Sequence, residues 1–285
     1  MRPEQLAINS ISTRQSSFEK ALEAYAGAGF IHVECHLPLV KAWLSGGRAT
    51  HDLRALLESY GLRCLGGFEA PLICFGSRTA MESSHELLLR NAELLHELGG
   101  RVMVIGTDGP PTPSMGALEV VAERVVALAE AVHGLDIAIA LEFNWSPLVR
   151  SLASAVRVRE LAAHSQVGVL FDPAHYHTTP TKLEDLTSRT VRWIKHVHLD
   201  DMRDKPPDLS HPNDDRVLPG TGVLDLRAII GRLESEGYQG HYSIELFSED
   251  LWHLPASEAA LRCYASALQL CQLDQSITLS HAWLP

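Results

Sequence analysis

IAIALEF (137–143), VGVLFD (167–172) and IKHVHL (194–199) follow one another in the second half of the chain, and HYSIEL (241–246) closes the series. Each run is aliphatic or β-branched and short, as a strand buried on both faces is. Each also carries near its end a group that resists burial: Glu142, Asp172, His198 and Glu245. Carboxylates are almost never left in a dry interior unless paired or bound to a cation. Three carboxylates and an imidazole at four strand ends predict a pocket for one divalent metal, and hence an enzyme.

Outward from these runs the same alternation fills the chain. LAINS (6–10), HVEC (32–35), CLGGF (64–68) and VMVIG (102–106) read as the four earlier strands. Amphipathic stretches such as 16–29, 51–61, 83–100 and 118–134 separate strands and end at glycine, a common helix stop, and a last helix covers 256–270. Eight strands alternating with eight helices predict a (β/α)8 TIM barrel. A doubly wound sheet would place a glycine-rich phosphate loop after its first strand, and LAINSISTRQ has no glycine. No composition break divides the chain, so residues 1–285 are expected to form a single barrel domain.

Barrel active sites lie at the C-terminal ends of the strands. Glu142 to Asp172 is 30 residues and Asp172 to His198 is 26, each about one βα unit; the 47 from His198 to Glu245 place an insertion after the seventh strand. Oxygen-rich coordination with one imidazole suits Mn²⁺, Mg²⁺, Co²⁺ or Zn²⁺. Taken singly, each residue reads as an ion-pair partner, a helix cap or a hydrogen-bonded rim group. Four in consecutive units at matching positions favour the metal.

His175, three residues past Asp172, leaves the strand on a loop where it could bond a substrate oxygen or orient a ligand. Arg216, in DRVLPGTG, could hold a substrate oxygen or carboxylate; alone, it reads as a surface ion pair with Asp214 or Asp215. His196, two before His198, points the same way one layer deeper. Glu34, Trp43, Phe68, Glu69 and His177 are weaker candidates for the mouth, each as readily ordinary packing.

A net charge of −11 disfavours a phosphate backbone as partner. Five cysteines without a CxxC pair read as thiols in a reducing compartment. MRPEQLAINS lacks a secretory core and no run reaches the roughly 18 apolar residues of a membrane span. The expectation is a cytoplasmic chain that binds neither nucleic acid nor membrane. The apolar tail 276–285, with Trp283 and Leu284, raises a possible homodimer.

The endings LEF, FDPAH, HVHLDD and IELF, with the DRVLPGTG loop, resemble the sugar phosphate isomerase/epimerase superfamily of xylose isomerase-like barrels, strongest over about 137–256. Within it the chain is most similar to inosose (2-keto-myo-inositol) isomerases. The resemblance implies metal ligands Glu142, Asp172, His198 and Glu245, and substrate contacts His175 and Arg216. It also implies an isomerase or epimerase of carbohydrate or inositol metabolism, moving a proton next to a carbonyl through an enediolate, with Glu142 and Glu245 as the catalytic acid/base pair. Endonuclease IV shares the superfamily, but GGFEAP and VIGTDG lack its histidines and Arg216 stands where its third metal has one. One ion and a small polyol or keto-sugar are therefore expected. The alternatives are a dehydratase of an inosose or of 3-dehydroshikimate on the same site, and a non-catalytic binding barrel.

Overall fold

The computed structural model describes residues 1–112, 114 and 116–280, with backbone only for 272–280. Eight parallel strands close into a barrel: β1 (Leu6–Asn9), β2 (His32–His36), β3 (Arg63–Phe68), β4 (Val102–Ile105), β5 (Ala138–Glu142), β6 (Val167–Phe171), β7 (Ile194–Leu199) and β8 (Tyr242–Ile244). Each pairs with its neighbour in sequence, and β8 closes on β1 through Leu6↔Tyr242 and Ile8↔Ile244. The expected (β/α)8 TIM barrel is therefore the fold.

Strand period two divides the side chains. Ile139 and Leu141 of β5, Val169 and Phe171 of β6, and Val197 and Leu199 of β7 join the large apolar cluster that also takes in helix residues such as Val125, Leu128 and Val158. The intervening Val104, Ala140 and Leu170 form a second, small cluster with Ile11 and Phe68. Glu142 shares the phase of Ala140, and Asp172 that of Leu170. His198 likewise repeats His196, and Glu245 repeats Ser243. The alternation thus aims all four groups into the barrel at its C-terminal mouth.

Helices cover the outside, including Phe18–Ala28, Thr50–Ser59, Arg78–Glu97, Ala117–Ala131, Leu152–Ala162, Leu226–Ser235 and Ala256–Ser280. Two departures from the expected pattern matter. After β6 the chain makes only short helical pieces, Pro173–His177 and Ser188–Val191, and after β2 it makes an extra helix, Leu37–Leu44. The insertion after β7 folds as a two-stranded antiparallel ribbon, Asp201–Met202 against Arg216–Val217.

Asp201 holds that ribbon in place. Its buried carboxylate accepts four backbone N–H groups: Met202 at 2.8 Å and Leu224 at 2.9 Å on Oδ1, Gly220 at 3.1 Å and Gly222 at 2.9 Å on Oδ2. A Cβ on Gly222 would stand 2.2 Å from the Met202 carbonyl oxygen, which explains the second glycine of PGTG. The five cysteines are buried thiols. No described helix is long and apolar enough to cross a membrane. Trp283 and Leu284, the basis for expecting a homodimer, lie outside the described residues.

Candidate active site

Glu142 is the last residue of β5, Asp172 follows β6 directly, His198 is the penultimate residue of β7 and Glu245 follows β8. One donor atom from each lies within 4.8 Å of the others, and all four residues are buried. His198 turns Nδ1 toward the centre, 3.2 Å from Asp172 Oδ2, 3.1 Å from Glu245 Oε2 and 3.6 Å from Glu142 Oε1. Asp172 divides its oxygens between tasks. Oδ1 caps the short helix by accepting His175 N–H at 3.0 Å, which leaves Oδ2 facing the centre.

Arg216 is buried against this cluster, 2% exposed, and no surface pair with Asp214 or Asp215 forms. Asp215 instead pairs with Lys205 at 2.6 Å. The Arg216 guanidinium reaches Asp172 Oδ2 at 3.0 Å, Asp200 Oδ2 at 2.9 Å and Glu245 Oε2 at 2.8 Å. It also donates to the carbonyls of Glu245 at 3.1 Å and Pro212 at 2.6 Å. The planar fork that can serve several acceptors at once is what lysine lacks.

His175 Nε2 stands 3.3 Å from Glu142 Oε1, and its Nδ1 accepts from Asn144 at 3.2 Å. His177, in contrast, lines a separate surface pocket with Tyr176 and Lys182. Trp43 lies under Arg48, 4.6 Å from guanidinium to ring centroid, and does not line the cavity over the four groups. Glu69 pairs with Lys41. Of the weaker candidates, Phe68 lines the cavity over the four groups.

That cavity has a volume of about 310 Å³ and is lined by Glu142, His175, Arg216 and Glu245 together with Phe68, Trp145 and Phe247. Trp145 meets Phe68 edge-on at 6.0 Å. Two residues with a bearing on the site, Trp145 and Asn9, escaped sequence reasoning, and a third, Glu34, was named only as a weaker candidate. Trp145 follows ALEF by two positions, but nothing in the sequence separates it from packing tryptophans. Asn9, ending β1, donates to Glu245 Oε1 at 3.1 Å. Glu34, weighed as a mouth residue or ordinary packing, is buried with its oxygens 3.3 Å from His198 Nε2 and 3.0 Å from His196 Nε2. It is the third of the five residues of β2, and its place near the end of the apolar run HVEC was the available signal.

Burial should raise the acids and lower the imidazole, yet the charges here win in the other direction. Against burial, Arg216, His175 and His198 hold the Asp172 carboxyl well below its usual range. Against burial again, His175 and His198 lower Glu142. Glu245, Glu34, Asp172 and Glu142 together raise His198 well above an ordinary histidine in spite of its burial. Asp200 is the exception: burial and the adjacent Asp172 carboxylate push it up.

Glu142, Asp172, Asp200 and Glu245 thus crowd around one guanidinium, while Glu34 pairs with His196 and His198. Glu142 Oε1 is buried and has no hydrogen bond of acceptable geometry. A carboxylate oxygen left open beside an imidazole and two further carboxylates fits a hard or borderline divalent cation. Glu142, Asp172, His198 and Glu245 are the residues that could hold it.

A family model described as xylose isomerase-like TIM barrel matches residues 22–267. Inosose isomerase of Halalkalibacterium halodurans is 31% identical over 134 residues, 46% of this chain and 47% of that protein. The chain therefore matches about half the length of these relatives. Inosose dehydratase of Bacillus thuringiensis is 22% identical over 255 residues, 81% of this chain and 82% of that protein. Among solved structures, the IOLI protein with a bound zinc atom superposes with a TM-score of 0.85 at 21% identity, covering 94% of this chain and 98% of that one.

Proposed function

Because the chain belongs to the xylose isomerase-like TIM barrel family, we propose that it is a divalent-metal-dependent isomerase or epimerase. Its reaction moves a proton next to a carbonyl of a small, unphosphorylated sugar or cyclitol, with an inosose-like ring ketone as first candidate. One observation carries this reading: the four donor atoms of Glu142, Asp172, His198 and Glu245 within 4.8 Å of one another.

When bound, the ion supplies positive charge for a carbonyl oxygen that becomes anionic as the neighbouring proton leaves. The protein's own groups do the rest. Glu142 and Glu245 take and return the proton. Asn9 and Arg216 orient the Glu245 carboxylate from either oxygen, and His175 approaches Glu142 at 3.3 Å. Arg216 keeps its charge at any working pH, so Asp172 is paired without a proton of its own. The rings of Phe68, Trp145 and Phe247 in the cavity lining give the C–H face of a ring an apolar surface and exclude water. A volume of about 310 Å³ sits at the small end of ligand pockets, roughly 300–1,000 Å³. The arginine lining the cavity, Arg216, is already engaged by three carboxylates, which favours a substrate without a phosphate or carboxylate of its own.

The lyase reading shares the proton abstraction and then expels a hydroxyl. The longer alignment to inosose dehydratase speaks for it. A screen of metal-loaded and chelator-treated protein over inososes, ketohexoses, hydroxypyruvate and 3-dehydroshikimate separates the possibilities. Metal-dependent interconversion of a ring ketone or ketohexose is expected; a water-loss product absorbing in the ultraviolet would instead establish the lyase. Turnover of none of the four would remove the substrate class.

A further inference from the structure

We infer that Glu34 is a positioning residue that sets which nitrogen of His198 the metal centre receives. The inference rests on the metal reading proposed above. Oε1 of Glu34 lies 3.3 Å from His198 Nε2, and Oε2 lies 3.0 Å from His196 Nε2. Both are hydrogen-bond distances for an imidazole N–H on a carboxylate. Glu34 is 1% exposed, so these oxygens are shielded from bulk solvent. An imidazole that donates from Nε2 presents its lone pair at Nδ1 once that nitrogen is deprotonated. Nδ1 is the atom facing Asp172, Glu245 and Glu142.

The strands carrying this arrangement are irregular where it is formed. The β2–β3 register shifts between Val33 and Glu34. The β6–β7 register shifts between Val169 and Leu170, where the partner changes from Ile194 to His196. Such irregularities re-aim side chains and recur beside active sites. Here one lies beside Glu34 and the other beside His196. Their joint effect places one carboxylate between two ring nitrogens stacked along β7, whose rings meet edge-on at 5.6 Å.

A carboxylate is required because it only accepts. Glutamine at this position has one acceptor oxygen for two imidazole N–H groups, and its amide N–H donors face a ring. Relieving that clash turns His198 to its other tautomer, with an N–H aimed into the metal pocket. The same three residues also offer three potential metal donors. Occupation by a second ion is the outcome that would contradict the hydrogen-bonded reading.

The test has two arms. Zinc titration of the wild-type chain against a competing chelator, followed by histidine ¹⁵N NMR of the zinc-loaded protein, should give one ion per chain. His198 should then be bound through Nδ1 and protonated at Nε2. Glu34→Gln should keep the wild-type far-ultraviolet circular dichroism, weaken zinc binding about 10- to 100-fold and change the His198 tautomer pattern. Binding through Nε2, or a second zinc that disappears in the variant, would overturn the inference, and so would an unchanged affinity and tautomer in Glu34→Gln. If that variant does not fold, the wild-type spectrum decides alone. A wild-type chain that takes up no zinc, manganese or cobalt would instead overturn the metal reading beneath it.

Discussion

Arg216 Nη1 donates to Glu245 Oε2 at 2.8 Å in a fully buried contact, while the same guanidinium also reaches Asp172 and Asp200. The residue joins the inserted ribbon to three strand ends. Removing one partner of a buried ionic network leaves the others unpaired, at about 3–5 kcal/mol. Arg216→Met should therefore lower the thermal midpoint of the metal-free protein markedly, and zinc should restore part of the loss. Calorimetry with and without zinc checks this; a midpoint unmoved by the substitution would contradict it.

Glu142→Gln and Glu245→Gln should each reduce kcat by about 10²–10⁴-fold, the range for a lost general acid or base. Metal affinity, measured separately, should fall less than activity. Undiminished turnover by Glu245→Gln with metal still bound would end the two-glutamate mechanism.

Trp145→Ala removes one ring from the cavity lining without touching a proposed ligand. KM should rise about tenfold, equivalent to ~1.4 kcal/mol, with kcat changed less. Steady-state kinetics on the best substrate of the screen supplies both values. A fall confined to kcat would place Trp145 in the chemical step instead.

Gly222→Ala tests the ribbon. Its Cβ would meet the Met202 carbonyl and Asp201 Oδ1, the latter at 2.4 Å. The strands do not depend on this loop, so the barrel should still fold while Arg216 loses its place and activity drops by about 10²-fold. Circular dichroism beside kinetics separates this from global unfolding.

The other end of the barrel carries a pH dependence. His241 meets His32 edge-on, with ring centroids 4.3 Å apart. Burial, then the neighbouring His32 and His196, lower His241 from 6.5 to about 4. As pH falls below about 6.5 the unfolded chain takes up this proton while the folded one does not, so stability declines until about pH 4. Thermal midpoints between pH 7.5 and 4.5 should fall less steeply in His241→Gln than in the wild type. Parallel slopes would contradict the assignment.

The fold and the four converging groups were legible because strand period and strand end are local properties. Glu142, Asp172, His198 and Glu245 each close an apolar run, and the phase of the run decides which way each points. Arg216 was legible as a functional loop residue but not as a buried one. Its neighbours Asp214 and Asp215 suggest a surface pair, whereas its actual partners come from three other stretches of chain. Asn9 was hidden, and Glu34 was legible only as a weaker mouth candidate, for the same reason: their roles exist only through partners on β7 and beyond β8. His177 shows the converse. D-x-x-H-x-H places two histidines side by side in sequence, but the helical turn after Asp172 directs only His175 to the cavity.

The most direct test of the central claim follows the proton. Metal-loaded protein incubated with a cyclitol ketone in D₂O should return substrate and isomerised product labelled with deuterium at the carbon next to the carbonyl. Chelator treatment or Glu245→Gln should suppress that labelling. Isomerisation without deuterium incorporation, or labelling that persists undiminished after the metal is removed, would contradict the account.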